Sequence, residues 1–148
     1  MTNHAESAPG AVFEVRDRVR WADSDPFGII YYGAYIRLFG VAEQEMMRAC
    51  GLPYERLRIE KGVWLPRKAL QVEFHSPAQL DEEVIIQSWI ARIGTTSLTM
   101  RFEVLRASDR TRRGSATLTV VSVEKATMQK RPLPDDVRAS LSAYLHAT

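Results

Sequence analysis

The amino-acid sequence predicts an α+β fold in which an antiparallel β-sheet wraps around one long central helix. Residues 35–49 carry apolar side chains at three- and four-residue steps around most of the helix circumference, so this helix needs a large partner to bury it. Segments rich in Val, Ile, Thr and Leu follow it and are joined by short connections. Such connections favour antiparallel pairing, because a parallel crossover takes about a dozen residues or more.

The size and composition of the chain favour one domain, which we expect over residues 12–148. The chain has 148 residues, of which 45% are hydrophobic and 26% charged, as is typical of a globular domain with a sizeable core. Residues 1–11 are small and polar and are predicted to form a disordered leader. No apolar run is long enough to span a bilayer and residues 1–10 lack a signal-peptide pattern, so we expect a cytoplasmic protein without a membrane partner.

Charge and cysteine content argue against several other classes of protein. The formal net charge of +2 is too small to indicate nucleic-acid binding, so no nucleic-acid partner is expected. Cys50 is the only cysteine, which excludes an internal disulfide, and its place in the apolar helical pattern favours a core residue over a nucleophile. His4, His75 and His146 lack the spacing of metal ligands, so no metal site is predicted.

The first predicted element is a strand over residues 13–21 with one buried face, because its apolar residues alternate with charged ones. Residues 22–28 combine Asp, Ser, Pro and Gly, so the strand ends in an irregular turn. The long helix over residues 35–49 follows, and Gly51 and Pro53 stop it.

Four further strands and a terminal helix are predicted after the long helix. The strands cover residues 63–74, 83–93, 97–105 and 115–123, and we expect them to pair as an antiparallel meander in one sheet. Residues 134–147 have an apolar stripe at helical spacing and are predicted to form the last helix.

Basic residues near the ends of the predicted strands allow two interpretations. One group surrounds an apparent hairpin turn and another follows the last strand; together they are Arg106, Arg110, Arg112, Arg113, Lys125, Lys130 and Arg131. These residues form either a solvated basic turn or a surface that receives the phosphate groups of a ligand, and the sequence leaves both open.

The most specific motif lies between the first strand and the long helix. It is Trp-Ala-Asp-Ser-Asp-Pro-Phe-Gly-Ile-Ile-Tyr-Tyr-Gly-Ala-Tyr over residues 21–35, and Gly-Leu-Pro at 51–53 follows the helix. Further matching turns occupy residues 76–82 and 94–97. In this order, over residues 13–134, the chain resembles the hotdog-fold thioesterases of the 4-hydroxybenzoyl-CoA type.

This resemblance implies that the chain hydrolyses acyl-CoA thioesters. It implies that Asp25 is the nucleophile or general base, and that the backbone N–H of Tyr32 polarises the thioester carbonyl. The chemistry needs both parts, a carboxylate near the acyl carbon and donors aimed at the carbonyl oxygen. The alternative for Asp25 is a turn-forming or helix-entry role, and for Asp23 a turn or capping role is favoured.

The resemblance also bears on the acyl group. Tyr32 matches the 4-hydroxybenzoyl branch, whereas Gly40 stands where that branch has an aspartate associated with the ring hydroxyl. Loss of this polar partner argues against selectivity for a 4-hydroxy substrate, and the room it leaves suits another aromatic, benzoyl-like group or a short acyl group. Close packing of the helix on the sheet explains Gly40 equally well.

Further substrate contacts are implied at the helix start and in a later turn. Gly33 adjoins Tyr32, and Thr95, Thr96 and Ser97 match a stretch near the pantetheine arm in the family, although Ser and Thr at a turn more often only organise the backbone. An exposed basic rim is suited to the charged nucleotide end of coenzyme A. Its candidates are Arg92, Arg106, Arg112, Arg113, Lys130 and Arg131.

The resemblance implies a homodimer whose sheets join edge to edge, with sites at the subunit interface and dimers doubled to a homotetramer. No separate cofactor is expected, because coenzyme A is part of the acyl-CoA substrate. Two alternatives keep the same fold. One is a hydratase or dehydratase, which needs a well-placed histidine, and the other is a non-catalytic acyl-CoA-binding module in which Asp25 serves only the turn.

Overall fold

Five strands and three α-helices make up the computed structural model, which describes residues 11–146. The strands are β1 (Phe13–Arg18), β2 (Arg67–Phe74), β3 (Glu83–Ile93), β4 (Ser97–Arg106) and β5 (Arg112–Val121). The helices are α1 (Ala34–Ala49), α2 (Tyr54–Ile59) and α3 (Asp135–Leu141). The predicted leader lies outside the described residues apart from Ala11, so its disorder stays a prediction.

All five strands form one antiparallel sheet with the order β1-β3-β4-β5-β2. The predicted antiparallel sheet is confirmed, and β3, β4 and β5 form a meander. The meander prediction is wrong for β2, which pairs with β5 at the edge opposite β1. Residues 75–82 connect β2 to β3 along the turn after β1, where Ile30 N–H donates to Ala78 O at 2.9 Å and Leu80 N–H donates to Gly28 O at 3.0 Å.

Helix α1 packs across one face of the sheet and forms the centre of the core. Leu38, Ala42 and Met46 on this helix are all 0% exposed, and the helix contacts β1, β3 and β4. The rings of Phe39 on α1 and Phe102 on β4 have their centroids 5.3 Å apart. Each fully buried Leu or Met side chain stabilises the fold by about 1.5–3 kcal/mol. This arrangement of one long helix against an antiparallel sheet is the hotdog fold.

Two strands are shorter at one end than predicted, for local reasons. β1 ends at Arg18 because Trp21–Asp23 form a 3-10 turn. β2 begins at Arg67, directly after Pro66, which has no N–H to donate to a neighbouring strand. Trp64 makes only an isolated bridge, to Val123.

One helix that was not predicted and two elements with shifted ends account for further differences. α2, which was not predicted, follows Pro53 and buries Leu57, so the stop signal of one helix is also the start of the next. β5 covers Arg112–Val121, so it starts three residues and ends two residues earlier than predicted. α3 ends at Leu141 and continues as a 3-10 turn to Tyr144, while residue 147 lies outside the described residues.

Within residues 11–146, no helix combines the length and apolar content needed to cross a bilayer.

Candidate active site

The turn after β1 is a loop closed by backbone hydrogen bonds. An isolated bridge joins Ser24 to Ile30, Asp25 N–H donates to Ile29 O at 2.8 Å, and Gly28 N–H donates to Asp25 O at 3.0 Å. Gly28 has a φ of 79°, a left-handed conformation that a side chain would strain. The loop therefore has one defined shape, and Asp25 lies inside it.

Asp25 uses one of its two carboxylate oxygens to stabilise this loop. Oδ1 accepts hydrogen bonds from Phe27 N–H at 2.8 Å and from Ile29 N–H at 3.4 Å. Within residues 11–146, no donor makes a hydrogen bond to Oδ2. The carboxylate is thus held in one orientation with one oxygen available for chemistry. The same hydrogen bonds also form the turn, so the structural and chemical interpretations of Asp25 are compatible.

Two backbone amides at the start of α1 are unpaired. Neither Tyr32 N–H nor Gly33 N–H has an acceptor in the part of the chain that the structure describes, whereas Tyr31 N–H donates to Asp23 O at 2.9 Å. Free N–H groups at a helix N-terminus carry partial positive charge and stabilise a developing oxyanion. The amide of Tyr32, predicted as the donor, is therefore available for this role, and so is its neighbour.

A pocket of about 320 Å³ opens between this loop, the start of α1 and the end of β2. The rings of Tyr35 and Phe74 in its wall meet edge to face at 5.5 Å. An apolar wall with few polar groups is typical of small-molecule sites. Asp25 does not line this pocket itself. Its lining residues are Ile29, Ile30, Tyr32, Tyr35, Phe74, His75, Ser76 and Pro77.

A larger depression, of about 450 Å³, lies along β2, β4 and β5 and includes Gln71, Glu73, Arg101 and Thr117 in its lining. Its wall is mostly polar, and it lacks the unpaired helix amides of the first pocket. We therefore take the smaller pocket, next to the Asp25 loop, as the candidate acyl site.

A nearly dehydrated ion pair lies next to the pocket. The Arg113 guanidinium donates to both carboxylate oxygens of Glu82, at 2.9 and 2.7 Å, and to Ser76 Oγ at 2.8 Å. Both charged side chains are less than a tenth exposed. Arg113 was expected on an exposed rim, and it lies instead inside the protein because Glu82 and Ser76 satisfy its donors.

His75 and Tyr35 add two further polar groups to the pocket wall. His75 Nε2 lies 2.9 Å from Ser115 Oγ, and the Tyr35 hydroxyl donates to Arg113 O at 3.4 Å. Burial raises the pKa of Tyr35 to about 12, so its phenol stays protonated at neutral pH. The sequence offered no signal that His75 would reach the pocket, because its position depends on how residues 75–82 cross the fold.

Asp23 has the capping role that the sequence favoured. Its carboxylate accepts the N–H of Arg20 at 2.8 Å, and it also accepts two hydrogen bonds from the guanidinium of Arg37. Arg37 was not predicted to belong to the site. It lies on α1, fourteen residues after Asp23, and no sequence spacing links a loop residue to a helix residue at that distance.

The helix face near Gly40 is open. A Cβ at Gly40 would meet no heavy atom within 4 Å, so close packing within the described chain does not explain this glycine. One helical turn further on, Glu43 is only 2% exposed, and one of its oxygens accepts from Arg67 at 2.9 Å. The other, Oε2, is buried without a partner among residues 11–146. Burial raises the pKa of Glu43, and the nearby Arg67 offsets this only in part.

The predicted coenzyme A contacts lie at two opposite ends of the sheet. Ser97 pairs with Val121 and Leu105 pairs with Arg112, and these two positions on β4 are eight residues apart, or roughly 26 Å at about 3.3 Å per residue. The pocket is at the Arg112 end. Arg106, Arg112 and Arg113 belong to that end, whereas Arg92, Thr95, Thr96, Ser97, Lys130 and Arg131 lie at the other. One subunit therefore does not bring these candidates together as a single rim.

The hairpin arginines have carboxylate partners. The pairs are Arg106 with Asp109, Arg110 with Glu14, Arg112 with Glu103, and Arg113 with Glu82. A paired arginine is less available to a phosphate group, so the interpretation as a solvated basic turn has the better support for Arg106, Arg110 and Arg112, whereas Arg113 is buried.

Cys50 lies outside this site. It is partly buried against the core, and burial raises the pKa of its thiol to about 11, so the reactive thiolate is scarce at neutral pH. In the described chain, no three His, Cys, Asp or Glu side chains are grouped so that they could hold a metal ion.

Comparison with known proteins identifies a family for this chain and several similar proteins. The family model described as "Thioesterase-like superfamily" matches residues 19–141. The acyl-CoA thioester hydrolase YbgC of Escherichia coli is 31% identical over 122 residues, which cover 82% of this chain and 90% of that protein. The 4-hydroxybenzoyl-CoA thioesterase of a Pseudomonas species is 27% identical over 96 residues, covering 64% and 68% of the two chains. The solved structure of a thioesterase superfamily protein from Jannaschia has a TM-score of 0.84 at 26% identity, covering 94% of this chain and 96% of that one.

Proposed function

Because the chain belongs to the thioesterase-like superfamily, we propose that it hydrolyses acyl-CoA thioesters with Asp25 as the carboxylate catalyst. The observation that supports this proposal is that a carboxylate oxygen and two backbone amides, all without a hydrogen-bond partner among residues 11–146, occur within and directly after one closed loop. Asp25 has one carboxylate oxygen held by loop amides and one without a donor, and the same loop leads into the unpaired amides of Tyr32 and Gly33.

The reaction needs a nucleophile at the thioester carbon and stabilisation of the negative charge on its oxygen. Asp25 supplies the first, either by attacking the carbonyl itself or by taking a proton from an attacking water. In the first route the acyl group passes to the carboxylate and water releases it. In both routes the tetrahedral oxyanion accepts hydrogen bonds from the N–H groups of Tyr32 and Gly33, and the C–S bond breaks. The thiolate of coenzyme A leaves and is protonated, the proton coming from the water that is consumed.

For the acyl group, we propose an aromatic, benzoyl-like acid or a short aliphatic one. The pocket of about 320 Å³ is walled by Tyr32, Tyr35 and Phe74, whose rings suit a flat apolar group. The open helix face at Gly40, eight residues after Tyr32, adds room along α1. The relatives named for 4-hydroxybenzoyl-CoA support the aromatic class without fixing its substituents.

We also propose that the chain works as a cytoplasmic homodimer that assembles into a homotetramer. Large apolar side chains are exposed just before and on α1, at Tyr32 (79%) and Ile36 (52%), and along β2, at Leu70 (41%) and Phe74 (55%). A patch of this kind marks a protein or ligand interface. β2 is also an edge strand, and a second copy pairing along it would cover the patch and complete the wall of the site.

The test is steady-state thiol release from benzoyl-, 4-hydroxybenzoyl-, phenylacetyl-, short and long aliphatic acyl-CoA esters. Asp25→Asn keeps an oxygen for the loop amides but removes the charge, and it should lower kcat/KM by about a hundredfold or more. Asp135→Asn, which changes a carboxylate on α3 far along the chain, is the matched control and should retain wild-type turnover.

Absence of turnover on every ester, or full activity in Asp25→Asn, would reject this mechanism. Binding of acyl-CoA without turnover would then favour the non-catalytic module. Addition of water to an enoyl-CoA that depends on His75 would favour the hydratase, because His75 is the histidine in the pocket wall.

A further inference from the structure

The guanidinium of Arg37 joins helix α1 to the strand and turn that precede Asp25. Its Nε and Nη2 donate to the two carboxylate oxygens of Asp23 at 2.9 and 2.5 Å. Its Nη1 donates to Asp17 at 2.8 Å, and Nη2 also reaches Arg18 O at 3.3 Å. One side chain on α1 thus holds the end of β1 and the 3-10 turn through four hydrogen bonds with fixed geometry.

Asp23 connects this ion pair to both halves of the proposed catalytic machinery. It stands two residues before Asp25, and its carboxylate also accepts the N–H of Arg20. Its backbone oxygen accepts Tyr31 N–H at 2.9 Å, and the next amide along the chain is that of Tyr32. The beginning and the end of the Asp25 loop are therefore fastened to the same residue.

The arrangement is shielded enough to be rigid. The side chains of Asp23, Asp17 and Arg37 are 6%, 14% and 28% exposed. Burial raises the pKa of Asp23, but the hydrogen bonds from Arg37 and Arg20 outweigh it, and the net pKa lies below the usual aspartate value. The pair therefore stays ionised at neutral pH. An ion pair with four hydrogen bonds from one guanidinium, and with both carboxylates little exposed, holds its geometry better than a fully exposed pair.

We propose that Arg37 and Asp23 are positioning residues that fix the Asp25 carboxylate relative to the Tyr32 amide. This inference rests on the proposed function, since it assigns these residues to the same reaction. Arg37 touches no reacting atom; it acts through Asp23, which ties the carboxylate side of the loop to the amide side. We call the ion pair of Arg37 and Asp23 the clamp. Loosening the clamp lets the Asp25 carboxylate and the Tyr32 amide move apart without changing the acyl pocket. It should therefore slow the chemical step more than it weakens substrate binding.

The kinetic test compares Arg37→Met, Arg37→Lys and wild type on the best ester, well below the midpoint of thermal unfolding. Arg37→Met keeps the length of the side chain and should lower kcat by about 10- to 100-fold while KM changes by less than about threefold. Arg37→Lys keeps the charge but loses the bidentate geometry, and it should recover part of kcat. Arg48→Met removes an exposed ion pair with Glu45 from the same helix and should leave both constants unchanged.

Amide hydrogen exchange tests the clamp without relying on turnover. Tyr31 N–H should exchange slowly in wild type and Arg48→Met, and at least tenfold faster in Arg37→Met, because its acceptor Asp23 is no longer held. If wild type hydrolyses no ester, this measurement still decides the clamp while the proposed function fails separately. Equal kcat in wild type and Arg37→Met, an equal loss in Arg48→Met, or unchanged exchange at Tyr31 would each overturn the inference.

Discussion

At the scale of single residues, the sharpest constraint is the contact between Gly114 on β5 and the ring of Tyr35 on α1. A Cβ built on Gly114 would lie 2.7 Å from one ring carbon and 3.2 Å from the next. Tyr35 is 2% exposed, and its hydroxyl donates to Arg113 O, so the ring cannot move away freely. The absence of a side chain at 114 is what lets this ring reach the pocket wall.

We predict that Gly114→Ala lowers the free energy of unfolding by about 1–3 kcal/mol, because a methyl group overpacks a site with no spare volume. It should also raise KM for aromatic esters, since the displaced ring lines the pocket. Denaturant unfolding and steady-state kinetics measure the two effects. Gly40→Ala is the control for the unfolding measurement alone, because its Cβ meets nothing and alanine is favoured over glycine in a helix interior by up to about 1 kcal/mol, so this variant should lose no stability. Equal stability of Gly114→Ala and wild type would contradict the contact.

Residue types and order predicted an irregular turn with two aspartates before the helix, and Asp23 has the capping role favoured for it. The catalytic roles of Asp25 and Tyr32 come from the family resemblance and stay predictions. Arg37 and Glu43 were not predicted. Each contacts a residue at least fourteen positions away, Asp23 or Arg67. Such contacts depend on how helix α1 rotates when it docks on the sheet, and local periodicity does not specify that rotation.

At the scale of elements, the ion pair of Glu43 and Arg67 joins α1 to the edge strand β2. The two sides of this pair are unequal, because the Glu43 side chain is 3% exposed and that of Arg67 is 50% exposed. Water can hydrogen-bond to the exposed guanidinium of Arg67, but it does not reach the buried second oxygen of Glu43. The pair therefore joins the two elements, and the free energy of unfolding depends on whether Glu43 is charged.

This asymmetry predicts a pH trend. Since the pKa of Glu43 is raised in the folded state, its proton stabilises the fold below the unfolded pKa, and this stabilisation is lost as pH rises through the folded value. Glu43→Gln cannot titrate, so its free energy of unfolding relative to wild type should increase as pH rises from about 4.5 towards neutral. Urea unfolding across this range measures the difference. Glu45→Gln, an exposed glutamate on the same helix, should track wild type, and parallel curves for Glu43→Gln would contradict the prediction.

Strand existence was predictable from β-branched and aliphatic content, but strand order was not. Residues 75–82 take the chain from the edge strand β2 to β3, beside the opposite edge strand, and make two hydrogen bonds with the Asp25 loop on the way. Ile30 N–H donates to Ala78 O, and Leu80 N–H donates to Gly28 O. A short connection predicted a neighbouring strand. These two contacts, between segments about fifty residues apart in sequence, instead direct the chain across the fold.

At the scale of the whole molecule, the exposed face formed by α1 and β2 is unlike the rest of the surface. β2 is exposed along nearly its whole length, whereas β3, β4 and β5 alternate between buried and partly exposed residues. In a two-fold dimer formed along this strand, the residue nearest the axis meets its own copy. Leu70 lies near the middle of β2 and is the residue placed to do so.

We predict that Leu70→Arg converts the proposed dimer into monomers, because two like charges would face each other across the axis. Sedimentation velocity should show the fall in mass, and turnover should fall with it if the partner completes the site. Arg16→Glu changes the charge of the opposite edge strand, β1, where a surface ion pair contributes little, and should leave the mass unchanged. An unchanged assembly in Leu70→Arg would show that the subunits meet elsewhere.

The two hydrogen bonds that Asp25 Oδ1 accepts from the amides of Phe27 and Ile29 have a consequence for the evolution of this loop. The side chain that would perform the chemistry also gives the loop its shape. Substitution at this position is therefore constrained both by the reaction and by the structure of the loop. Asparagine alone keeps a carbonyl oxygen at the same reach, and it loses the charge. A lineage that abandoned the reaction but kept the fold would therefore be expected to carry Asn at this position, and such a substitution among relatives would mark descendants that bind acyl-CoA without cleaving it.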